Sequence, residues 1–142
     1  MKKMKPLFAG IVFLTIVFAF MTCKDHISDS GNVDVVFPDT GVSYGRHVQV
    51  LFWQACAFGG CHGDDTFDGR GFALDSYQHA TAKSGIIIPC VPHQPCNPEA
   101  SILVLRIEGL GGMVRMPFNR TPLNDNQING IKTWIREGAL NN

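Results

Sequence analysis

One segment constrains this chain more than any other: Cys56-Ala57-Phe58-Gly59-Gly60-Cys61-His62-Gly63. Two thiols and an imidazole fall within seven residues, and the histidine directly follows the second thiol. Upstream, Val48, Leu51, Phe52 and Ala55 recur at helical spacing, with Ser43 as the N-cap. Gly59-Gly60 and Gly63 stop that helix. The chemistry-bearing groups are therefore expected on a turn, directly after the first helix. Four residues separate the cysteines, so that turn is a long one.

The N-terminus points to export. Met1-Lys2-Lys3-Met4-Lys5 precedes an apolar run over 7–21, the basic and apolar regions of a secretory signal. The run is shorter than the roughly 18 apolar residues of a membrane span, which keeps an uncleaved anchor as the second reading. Cys23 closes it, after Phe20-Met21-Thr22 and before a polar stretch. That context resembles the lipobox of a bacterial lipoprotein, which implies a lipid on Cys23 and residence in the bacterial cell envelope, on the periplasmic or outer-surface side. The expected organisation is a signal peptide over 1–22, a flexible tether over 23–42 and a folded domain over 43–142. Residues 23–142 carry nine basic and twelve acidic side chains, so no basic patch suggests nucleic acid. A domain this small commonly needs a staple, either a disulfide or a bound group.

Further elements follow from local signals. Residues 63–73 read as a loop, and Asp75 as the cap of a short helix reaching Ala82. Residues 84–98 form a second loop, with four prolines, Cys90 and Cys96. Asn97, Pro98 and Glu99 open a third helix that Gly109 ends. Asn124 with Gln127 forms a capping-box pattern, and Ile128, Ile131, Trp134 and Ile135 make one apolar stripe up to Gly138. The expected fold is all-α: about four short helices around long loops, with too few apolar residues to close a core unaided.

The order thiol, thiol, histidine is what covalent haem attachment needs, the usual spacing being C-x-x-C-H. Downstream stand Gly69-Arg70-Gly71-Phe72-Ala73-Leu74-Asp75-Ser76-Tyr77, then Arg115-Met116-Pro117, then Trp134-Ile135-Arg136-Glu137-Gly138-Ala139. With Cys61-His62-Gly63 these elements, over about 95 residues and in order, resemble the monohaem c-type cytochromes of the class I fold found on exported bacterial proteins. The resemblance implies one covalent haem c, with Cys56 and Cys61 as thioethers and His62 and Met116 as the axial iron ligands. It implies an electron carrier between a donor and an acceptor protein, with no small-molecule substrate and no enzymatic activity. It also implies that the Pro89 carbonyl orients the His62 ring. The apolar stripes, taken with the resemblance, put Phe52 or Trp53 near Trp134.

Alternatives remain open at several positions. Phe58-Gly59-Gly60-Cys61-His62 also fits a single-thioether F-x-x-C-H pattern, which leaves Cys56 free. Met113 is the second candidate for the sulfur ligand, and His47, His79 or His93 would replace it in a bis-histidine variant. Cys90 and Cys96 are expected to form a disulfide in an oxidising compartment. Two rival functions differ in class. Cys56, Cys61, Cys90 and Cys96 would together make a four-thiolate structural zinc site. A haem-binding sensor or enzyme would need an open iron position.

Overall fold

Ser43 opens the first helical segment as the sequence implies: its backbone is extended and its Oγ accepts from the Arg46 amide. In this computed structural model, which describes residues 34–142, a π-helical turn (Tyr44–Val48) leads into α1 (Gln49–Ala55). A 3-10 turn (Asp64–Thr66) precedes the four-residue α2 (Phe67–Arg70). Then come α3 (Tyr77–Thr81), a 3-10 turn (Pro98–Ala100), α4 (Ile102–Glu108) and α5 (Asp125–Arg136). No strand occurs among the described residues. The signal sequence expected over 1–22 and the lipid expected on Cys23 lie outside them.

Three local expectations shift by a residue or an element. Ser76, not Asp75, caps α3: its Oγ accepts from the His79 amide, while the Asp75 carboxylate takes the His79 ring nitrogen at 2.9 Å. The loop expected over 63–73 contains α2, a single turn closed by Gly71 in the left-handed region. The third helix is broken at its start. Pro98 opens a 3-10 turn, and Ser101 then turns extended before α4 begins. Ser101 is fully buried there because its Oγ accepts from the Ile88 amide, which ties the long loop to the helix start.

The core forms around α5. Trp134, Ile131 and Ile135 of its stripe are fully buried, together with Leu51 and Phe52 of α1. The ring seated against Trp134 is that of Tyr44, with centroids 5.5 Å apart. The expectation of Trp53 in that place is corrected: Trp53 lies largely exposed, its indole N–H donating to the Asp75 carbonyl. Tyr44 fits better because it points from the helix start, where the π-turn meets α5.

Folded structure begins before residue 43. Val35, Phe37 and Val42 are buried, and residues 34–42 lie as an extended strap on α5. The Phe37 amide donates to Asn126 Oδ1, and Asn126 Nδ2 donates back to the Phe37 carbonyl. Gly41 and Val42 amides both donate to the Glu137 carboxylate. The second half of the expected tether is thus part of the domain, because Val35 and Phe37 alternate inward from an extended backbone.

Candidate functional site

The helix end places the first thiol. α1 terminates at Ala55, and Cys56 follows with its amide still bonded to the Phe52 carbonyl. The next residues wind tightly: the Phe58 carbonyl accepts from both the Cys61 and Gly63 amides, at 3.0 Å each. Gly60 sits at φ 73°, a conformation open to glycine at little cost, and its amide donates to Asp65 Oδ2. The long spacer between the cysteines is taken up in this way. His62 is then held by its own carbonyl, which accepts from the Leu74 amide at 2.7 Å.

These groups open onto one cavity of about 430 Å³, within the usual range for cofactor pockets. Cys56, Cys61, His62 and Met116 all line it. Its walls are largely apolar, including Phe58, Phe72, Leu74, Ile86, Leu103 and Ile107. Met116 arrives from the far side, on the loop after α4, and the Met116–Pro117 bond is cis. Met113 is absent from the walls, and so are His47, His79 and His93. His47 is engaged by the Ser43 amide, and His79 by Asp75 and by stacking on Phe67.

The protonation states follow from burial. The Cys56 thiol is pushed up to about 12, chiefly by burial, with Arg120 opposing and Cys61 adding to the shift. It is a neutral thiol at pH 7. Burial, then the charges of Arg70 and Arg106, hold the His62 imidazole below its ordinary value. Neutral imidazole is the form that ligates metals. The Nδ1 atom of His62 is buried with no hydrogen-bond partner among the described residues. Such an orphan costs about 1–3 kcal/mol.

The expected Pro89 carbonyl does not reach that nitrogen. The loop holding it is anchored elsewhere: the Cys90 amide donates to the Ile135 carbonyl, at the end of α5. Cys90 and Cys96 stand at disulfide distance, with Cα atoms 4.9 Å apart, and neither lines the cavity. The four thiols of the zinc reading therefore do not converge. No group of three or more His, Cys, Asp or Glu side chains suited to a metal occurs among the described residues.

Sequence reasoning missed the cations. Arg70, Arg106 and Arg120 line the cavity, no carboxylate does, and none of the three is ion-paired among the described residues. Arg120 lies over the Phe58 ring at 4.0 Å. Nothing in the local pattern marks these arginines, since each belongs to a different element and reads as solvated surface. An apolar cavity with a cationic rim suits an apolar body bearing anionic groups.

Compared with family models, curated proteins and solved structures, the chain matches none. No helix among the described residues is long and apolar enough to cross a membrane.

Proposed function

We propose that this chain is an exported monohaem cytochrome c that carries single electrons between a donor and an acceptor protein, and that its domain has a class I-like arrangement. The observation that carries the reading is the convergence of Cys56, Cys61, His62 and Met116 on one apolar cavity, from two loops about 55 residues apart. The residues fit a haem c. Two thiols can bond the vinyl groups, and the His62 imidazole, kept neutral by burial, lines the same cavity. A thioether faces the same space, and three arginines meet the demand of two propionates.

A haem bound there supplies one-electron Fe(II)/Fe(III) chemistry, and a histidine–methionine pair raises its potential relative to stronger donors. The chain's own part is to hold, orient and exclude water. His62 and Met116 would both hold the iron of such a haem, a donor pair that suits electron transfer, so no residue is assigned a catalytic role. Phe58, Phe72 and Leu103 give the cavity apolar walls. Redox partners dock weakly and briefly on such carriers. Lipid on Cys23 would hold the domain at a membrane of the cell envelope.

Mass spectrometry of protein matured with haem-attaching machinery tests this. The expected result is one haem on the peptide containing Cys56 and Cys61, with acyl chains on Cys23. Cys56→Ser should leave one thioether. Met116→Ala should turn a six-coordinate low-spin spectrum into one with an open or exchanged site. A colourless protein with stoichiometric zinc overturns the reading.

A further inference from the structure

The loop that carries Met116 is fastened to the end of α4 by a reciprocal clasp. The Met116 amide donates to the Arg106 carbonyl at 2.8 Å. Arg115 Nε donates to the Ile107 carbonyl at 3.1 Å, and Arg106 Nη1 donates to the Val114 carbonyl, also at 3.1 Å. Two of the acceptors are last-turn helix carbonyls, which attract cations, and the Arg106 carbonyl also accepts from the Gly109 amide at 3.3 Å. The stem of Arg115 lies flat over Gly109, where any Cβ would come within 3.1–3.2 Å of its Cβ, Cγ and Cδ atoms.

Met113 lies just upstream of the clasp. Its amide reaches only the Leu110 carbonyl, at 3.4 Å, and its methyl packs by Gly111. The clasp spans Val114 to Met116, so it fixes which methionine meets the cavity. We infer that Arg115, with Arg106, is a positioning residue that sets the register of this loop and delivers the Met116 sulfur to the site, excluding Met113. This rests on the reading of Met116 as an axial ligand. Arg115 does not line the cavity and is exposed, so it can be changed without altering the walls.

The test uses the haem-loaded protein and imidazole as a competing ligand. Imidazole binds only when the sulfur has let go, so its apparent affinity reports the fraction of released sulfur. Arg115→Leu keeps an apolar stem over Gly109, removes the donor and adds no competing thioether. It should bind imidazole about tenfold more tightly, the shift expected from one lost charged hydrogen bond. Arg115→Lys restores a donor and should lie within about threefold of wild type. Met113→Leu should leave both the sulfur-to-iron charge-transfer band and imidazole binding unchanged. Equal imidazole affinity in Arg115→Leu and wild type overturns the inference, even with a lowered melting temperature. So does loss of the band in Met113→Leu. A wild-type protein that holds haem without a sulfur band instead overturns the ligand assignment itself, before any variant is compared.

Discussion

Single residues decide where this domain tolerates no change. Gly130 lies in α5 directly under Phe37, and an added Cβ would occupy the position of the Phe37 side chain. Gly130→Ala should therefore lower stability by about 1–3 kcal/mol in urea unfolding, in spite of alanine's better helix propensity. The loss should shrink in a Phe37→Ala background, and equal losses in both backgrounds would contradict the contact. Tyr44 makes a second case. Its phenol is buried, donates to Gln49 Oε1 at 2.5 Å, and is held well above its ordinary value by burial, then by Asp75 and Tyr77. An unfolded chain ionises tyrosine near pH 10 while the folded protein keeps the proton, so stability is full below about pH 10 and falls as pH rises past it. Tyr44→Phe should flatten that alkaline slope by up to about 1.4 kcal/mol per pH unit, measured by urea unfolding across pH 9 to 11. Parallel slopes would argue against it.

At the scale of elements, the caps carry the design. Asn124 accepts from the Gln127 amide and Gln127 Oε1 accepts from the Asn124 amide, a complete capping box at the head of α5. Asn124→Ala should cost about 1 kcal/mol by thermal or urea unfolding, and Asn124→Ser much less. These ends were readable in the sequence because capping is local: Ser43, Asn124, Gly109 and Gly138 act within four residues of themselves. The break at Ser101 was not readable. Its extended backbone depends on Ile88, thirteen residues upstream, and no local propensity encodes that bond. The same holds for the strap. Val35 and Phe37 alternate as a strand would, yet what makes them structural is Asn126 in α5, 89 residues from Phe37.

For the whole molecule, the candidate site was legible to the extent that its chemistry is written in short motifs. Cys56, Cys61, His62 and Met116 stood out by residue type and order, and they meet at one cavity. The arginine rim and the clasp at Arg115 were invisible, because a surface arginine looks the same in sequence wherever it points. The Pro89 carbonyl was misplaced because the loop closed by Cys90 and Cys96 is anchored at Ile135, which is a tertiary fact.

The strap has a mechanical consequence. Because Val35 is already packed, no more than about a dozen residues lie between Cys23 and the folded body. Fully drawn out, that length of chain spans no more than about 40 Å. A lipid on Cys23 would make the domain a moored float on a short line instead of a long-range shuttle. Any partner of a domain so anchored would have to come to the membrane surface.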